Sequence, residues 1–373
     1  MYATDPFINE LDDLLAGICL KLQITPTQHK LAEDRYISVS KWLSDKSSHF
    51  YIANSDIYPQ GSLRLGTTVK PLVNQEYDLD LVCEMGLDWN NFDPIQVLDA
   101  VESRLKENDS YSKILERKNR CLRLNYANEF HMDVLPAAPD TVRNHGCIKV
   151  PDRKAEEWKE SNPKGYAEWF ERQANQFGEV LAKAKVEPLP DPEDPRGKST
   201  LKYIVQLLKR SRDVAFENDE EVAPISIVLT TLAGMYYRGI LSINEAFAYT
   251  LHSLTNEISA NDTRIVVRNP ANQDEDLSER WDNNHKAYNE FVKWVNELSD
   301  TWKKLNIVRG PELVKMLQEL FGEKVTNDVI KERAEIISRA RKEDSLGITK
   351  SGLLTTSLAS GITQVRPNNF YGD

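Results

Sequence analysis

The sequence predicts an α+β protein, with a mixed sheet lobe entered by two N-terminal helices and followed by a helical lobe. Three observations carry this. Apolar residues recur at helical spacing through 5–22 and 27–45. From Phe50 to about Ala138 the pattern changes to short strand-like runs, and after Val150 helical spacing returns.

The first helix places Phe7, Ile8, Leu11, Leu14 and Leu15 on one face, the second Leu31, Tyr36, Ile37, Trp42 and Leu43, with a break at Thr25-Pro26. YIANSDIY, YDLDLVCEM, RCLRLNYA and FHMDVLPA read as strands, with a helix near Pro94 to Lys106. Helices are then expected from Asn162 to about Lys185, Ser199 to Phe216, Pro224 to Tyr237, Ser242 to Ile258, about Leu277 to Leu305, and Pro311 to Arg341. The linker Pro188 to Gly197 cannot be helical, because its four prolines fix φ and remove donors. The tail from Gly347, rich in Gly, Ser and Thr, shows no periodicity and is expected to be flexible or peripheral. These divisions give 1–150 as the sheet lobe with its helices, 151–346 as the helical lobe and 347–373 as the tail.

The chain has 373 residues and a formal net charge of -11, so its bulk charge points to neither nucleic acid nor an anionic membrane as default partner. Cys19, Cys83, Cys121 and Cys147 are scattered, with no CxxC pair and no His at zinc-ligand spacing, which suits a reducing cytoplasm. The N-terminus is acidic where a signal peptide would be basic, and no apolar run is long enough to span a bilayer.

The run YDLDLVCEM carries two aspartates inside an apolar strand. Side chains alternate along a strand, so Asp78 and Asp80 share one face while Leu79 and Leu81 pack behind them. Two adjacent carboxylates repel. Their useful task is to hold a hard cation such as Mg²⁺, which takes one or two carboxylates together with substrate phosphates. Asp133, in HMDVLPA, lies in another strand that can bring it beside the pair, and three carboxylates holding two ions suit in-line phosphoryl or nucleotidyl transfer. The plain alternative is a pair of exposed acids on an edge strand. Gly61-Ser62 shifts the balance, because glycine allows close backbone approach and the following turn can offer N–H groups and a hydroxyl to phosphate.

A GS turn, then DxD, then a third strand carboxylate resembles the polymerase-β-type nucleotidyltransferase superfamily. QGSLRLGT, YDLDLV, HMDVLPA and WKESNPKGYAEWF together resemble the bacterial cGAS/DncV-like nucleotidyltransferases (CD-NTases), from the N-terminal helices to about residue 300. The resemblance implies a nucleotidyltransferase sheet lobe with N-terminal spine helices and a C-terminal helical lobe. It implies an enzyme that joins ATP, and other NTPs, into a cyclic di- or trinucleotide second messenger for anti-phage (CBASS) signalling.

By that resemblance Gln60, Gly61 and Ser62 line the donor triphosphate, and Asp78, Asp80 and Asp133 hold two Mg²⁺ or Mn²⁺ ions. Lys209, in YIVQLLKRSRD, falls where the family places a lysine on the donor phosphates. Ser226 matches a phosphate-contacting serine, and Arg123, in CLRLNY, an arginine near the acceptor phosphate. Each has a bland reading: Lys209 as a solvated cation, Ser226 as a helix cap, Arg123 as an exposed strand residue or salt-bridge partner. His131 shares a strand face with Asp133 and reads better as a packed or exposed histidine than as a ligand. RIVVRNPANQ resembles the extended segment before a long helix and carries no assigned chemistry. With no Cys/His cluster, control by a partner protein or constitutive activity is expected over obligatory nucleic acid, and no membrane is expected. The alternatives are nucleotide addition to an RNA 3′ end, which wants a broad basic channel, and a catalytically silent nucleotide-binding regulator, which has no need of three repelling acids.

Overall fold

A computed structural model of the chain describes residues 6–48, 52, 54–72, 77–127, 130–143, 146–175, 198–349, 354–355 and 362–365. The expected linker Pro188 to Gly197 lies outside the described residues. Helices α1 (Pro6–Leu22) and α2 (Pro26–Leu43) open the chain, and Thr25 and Gln28 form a capping box at the start of α2. Strand β1 (Asp56–Gln60) leads through a single helical turn, Gly61–Arg64, to β2 (Tyr77–Glu84). Then come α3 (Pro94–Lys106), started by an Asp93 cap and Pro94, and strands β3 (Leu115–Arg117), β4 (Leu122–Tyr126) and β5 (Phe130–Pro139).

The sheet order is β1-β2-β5-β4-β3, and only the β2–β5 pair is parallel. Leu79, Leu81, Met132, Val134, Leu122 and Leu124 pack on one face against α2 and α3. A further hairpin, β6 (Ile148–Asp152) and β7 (Glu157–Ser161), continues from β5 beyond residue 150. It covers the far end of the opposite face, where Tyr58, Val82, Ala137, Ile148 and Val150 form a small cluster. That cover explains why the alternation of β2 gives way to continuous burial after Asp80.

The helical lobe comprises α4 (Pro163–Asn175), α5 (Thr200–Ala215), α6 (Ser226–Tyr236), α7 (Ile243–Ala260), α8 (His285–Leu305), α9 (Pro311–Phe321) and α10 (Glu323–Lys342). The helix expected over Pro311 to Arg341 is two helices, divided at Gly322, whose φ of 96° favours glycine. Helix α1 buries Leu11, Leu15, Ile18 and Leu22 in the core of this lobe, whereas α2 packs on the sheet, so the two N-terminal helices join both halves. RIVVRNPANQ contributes to a two-stranded ribbon, β8 (Arg268–Asn269) with β9 (Asn272–Asp276). In the tail, Gly347–Ile348, Leu354–Thr355 and Thr363–Gln364 pair into a small sheet. Among the described residues no helix is long and apolar enough to cross a membrane.

Candidate active site

Parallel pairing of β2 with β5 sets Asp80 opposite Asp133 and Asp78 opposite His131. The three expected carboxylates thus occupy one patch of the uncovered sheet face. Their electrostatics differ. Burial first, then the charges of Asp78 and Asp133, pushes the Asp80 carboxyl up to about 8. Asp78 is 56% exposed yet lies within a cleft of protein, and desolvation raises it against the opposing pull of Arg123.

Arg123 comes from β4, directly opposite Asp133. It donates two hydrogen bonds to Asp133, Nε to Oδ1 at 2.7 Å and Nη2 to Oδ2 at 2.8 Å, and its Nη2 lies 3.5 Å from Asp78 Oδ1. The salt-bridge reading of Arg123 is the one the geometry displays. Among the described residues no three Asp, Glu, His or Cys side chains already surround one point, and the Arg123 guanidinium reaches both Asp133 and Asp78. The donor chemistry still fits a hard cation: three carboxylates on adjoining strands, one raised by burial and then by its like-charged neighbours.

Gly61 has φ +67°, and a Cβ built there would stand 2.0 Å from Asp80 Oδ2. In this structure the group that approaches the glycine is the Asp80 carboxylate. Ser62 Oγ lies 3.3 Å from Thr68 Oγ1, and the Thr67 N–H donates to Ser62 O at 2.9 Å. The segment after the turn is clasped by α5: Gln206 donates to Thr68 O at 2.7 Å, Lys209 to Thr67 O and Oγ1 at 3.2 Å, and Arg210 to Lys70 O at 2.8 Å. Lys209 is therefore buried beside the turn. Burial first, then Arg212, pulls its ammonium down to about 7. Its neighbour Arg210 holds the same segment, a role that residue spacing alone did not suggest.

Ser226 is the first residue of α6 and makes no cap bond; its Oγ accepts from Arg212 Nη2 at 3.2 Å. Two cavities open at the patch. One, of about 580 Å³, is lined by Gln60, Gly61 and Asp80 together with Trp158, Tyr166 and Glu275. The other, of about 640 Å³, is lined by Asp78, Arg123, His131 and Arg212. Ile225 and Arg280 line both. Each is of ligand size. Neither Ser226, Lys209 nor Ser62 is among the lining residues; they stand behind the walls, close to Gly61, Asp80 or Ile225. Sequence reasoning missed Arg212, Arg280 and the acids after Asn272; the available signal was the QDED run following RIVVRNPAN.

Residues 11–175 match the family of Second Messenger Oligonucleotide or Dinucleotide Synthetase domains. A c-di-GMP synthase of Roseivirga ehrenbergii is 36% identical over 381 residues, covering all of both chains. The structure of the Bradyrhizobium diazoefficiens CD-NTase CdnG in complex with GTP superposes with a TM-score of 0.70 at 24% identity, covering 86% of this chain and 98% of that one. That of an E. coli CdnC in complex with HORMA gives 0.59 at 12% identity, covering 86% and 97%. The carboxylate patch, the glycine turn beside it and the full-length match agree: the chain is a member of the cGAS/DncV-like bacterial CD-NTases, nucleotidyltransferases that synthesise cyclic nucleotides.

Proposed function

We propose that this enzyme joins two NTPs, GTP foremost, into a cyclic dinucleotide, with one nucleotide in each of the two cavities. The observation that carries this is the placement of the DxD pair: Asp80 lines one cavity and Asp78 the other. The full-length relative named c-di-GMP synthase supports guanine as a base.

Asp78, Asp80 and Asp133 would hold two Mg²⁺ or Mn²⁺ ions, which when bound supply charge neutralisation at the triphosphate and a lower pKa for the attacking hydroxyl. The chain's own residues do the rest. Gln60, Gly61 and Ser62 position the donor triphosphate, supported from behind by Thr67 and Thr68 in the grip of α5. Lys209 supplies a cation beside that turn through its bonds to Thr67, and Ser226 a hydroxyl held by Arg212 at the second cavity. Arg123 keeps Asp133 oriented and screens it from Asp78, and Asp133 is placed to take the proton of the attacking hydroxyl. Position and fixed charge carry the rate, since the protein forms no covalent bond with substrate.

The test is direct: incubate the protein with Mg²⁺ or Mn²⁺ and all four NTPs, treat with phosphatase, and identify products by mass spectrometry. A cyclic product has no terminal phosphate and survives. Only linear or mononucleotide products would reject the reading. The family resemblance supports a role in anti-phage signalling, checked by phage plating on cells with and without the gene. The structural neighbour seen with HORMA supports a protein partner in control.

A further inference from the structure

The cavity that holds Asp80 has a strongly acidic wall. Glu157, Glu160, Asp274, Asp276 and Glu279 line it, and each has a lysine or arginine nitrogen within 3 Å. Among the described residues, two lining carboxylates have no ion-pair partner. One is Asp80, which belongs to the metal set proposed above. The other is Glu275, on β9.

Glu275 is not a stray surface acid. Its Oε1 accepts from Ser161 Oγ at 3.0 Å and its Oε2 from Asn269 Nδ2 at 2.7 Å. Asn269 is itself fixed, because its Oδ1 accepts from the Ala271 N–H at 2.9 Å. Three separate elements, β7, β8 and β9, thus aim one carboxylate. Arg120, whose charge acts on it, spends its hydrogen bonds on Asp152 and Glu279. Burial raises the Glu275 carboxyl above its ordinary range, opposed by its bonds to Asn269, Ser161 and the Asn162 backbone N–H and by the charge of Arg120. Neutral donors compensate a desolvated carboxylate only in part, so one held rigidly without an ion-pair partner favours a ligand that brings a further donor.

We propose that Glu275 reads guanine in this cavity, accepting hydrogen bonds from the base's N1–H and exocyclic N2–H groups. The inference rests on the nucleotide reading of the cavity given above. An ionised carboxylate has about four acceptor positions, so donation from Ser161, Asn269 and the Asn162 backbone leaves about one open, which the two adjacent donors of guanine would share. Guanine offers two adjacent donors on this edge; adenine offers an N6 donor beside the N1 lone pair, which a carboxylate repels. Trp158 and Tyr166, in the same lining, provide apolar aromatic surface for the ring. A site built to hydrogen-bond a donor rejects the analogue that lacks it, because its own polar group is left unpaired.

The test deletes one group from each partner. Binding of α,β-methylene analogues of GTP, ITP and ATP is measured by competition against a fluorescent nucleotide, for wild type and Glu275→Gln. ITP lacks only the N2 amine. Wild type is expected to bind the GTP analogue about tenfold or more tightly than the ITP and ATP analogues. In Glu275→Gln the GTP–ITP gap is expected to shrink to within about twofold, because the acceptor for N2–H is weakened. Glu275→Asp, which keeps the charge but shortens its reach, serves the same comparison should the Gln variant fail to fold. Equal wild-type affinity for GTP and ITP analogues would overturn the assignment whatever the variants do, and so would a GTP–ITP gap that persists undiminished in the variant. If wild type binds none of the three, the nucleotide reading of the cavity itself fails, a result distinct from binding without discrimination.

Discussion

Substituting Gly61 by alanine isolates the contact that sets Asp80. The new Cβ would stand 2.0 Å from Asp80 Oδ2 and 2.9 Å from its Cγ. Ordinary contact begins near 3.4 Å, so the carboxylate must retreat by roughly 1.4 Å, the difference between 3.4 and 2.0. A misplacement of about 1 Å in a reacting constellation can cost about 100-fold in rate. The substitution also strains the backbone, since a positive φ costs a residue with a Cβ about 1–3 kcal/mol. Gly310→Ala separates the two effects: Gly310 has φ +61° and nothing within 4 Å of its built Cβ. Both variants should lose a similar 1–3 kcal/mol to strain by urea unfolding, with Gly61→Ala losing somewhat more. Formation of phosphatase-resistant product should fall about 100-fold in Gly61→Ala and stay within a few-fold of wild type in Gly310→Ala. A Gly61→Ala protein that matches Gly310→Ala in both stability and turnover would refute the argument that the glycine exists to seat Asp80.

Three other outcomes follow from the site and its supports. Asp78→Asn and Asp80→Asn should each abolish product while remaining folded, and Asp80→Asn should melt at or above wild type in chelator, by a margin that grows as pH rises from about 4 toward 8, since burial and the charges of Asp78 and Asp133 raise the Asp80 carboxyl to about 8 and make its ionisation oppose folding; a lower melt would show that Asp80 stabilises the metal-free fold. Burial pulls the Lys209 ammonium down to about 7, and a triphosphate beside it should raise it again, so calorimetry in Tris and phosphate buffers at pH 7.5 should report proton uptake that Lys209→Met loses; equal uptake in the variant would remove Lys209 from the effect. For Asp152, burial alone would raise the carboxyl, but Arg120, the Ala155 N–H and Asn119 together hold it down at about 2. A depressed folded pKa gives stability that is present above the unfolded value near 4 and lost as pH falls through about 2, amounting to about 2 kcal/mol at neutrality. Asp152→Asn should therefore be less stable at pH 7, with its deficit against wild type closing between pH 4 and 2; a deficit independent of pH would assign the loss to packing.

The alternation in YDLDLV placed Asp78 and Asp80 on one face and Leu79 and Leu81 behind them, and the folded chain keeps that division. Helix bounds were likewise legible where caps and prolines mark them, as at Thr25-Pro26 and Asp93-Pro94. Such signals are local, since a residue's spacing reports which face of its own element it occupies. Register is not local. That Asp133 stands opposite Asp80, and Arg123 opposite Asp133, depends on how β4, β5 and β2 slide against one another, which is settled by the packing of Leu122, Met132 and Leu79 in a shared core. The hairpin β6–β7 was not read as strands, and its role in closing the sheet face appears only when Ile148 meets Val82. The assignment of α1 to the helical lobe depends on Leu11 and Ile18 joining a core built by later helices, with Cys19 reaching Tyr203, 184 positions away. The ribbon that brings Glu275 to Ser161 joins positions 114 apart. A buried charge acquires its partners, or is left without one, only when the whole chain has closed around it, because desolvation and Coulomb energy depend on distances in space and not along the sequence.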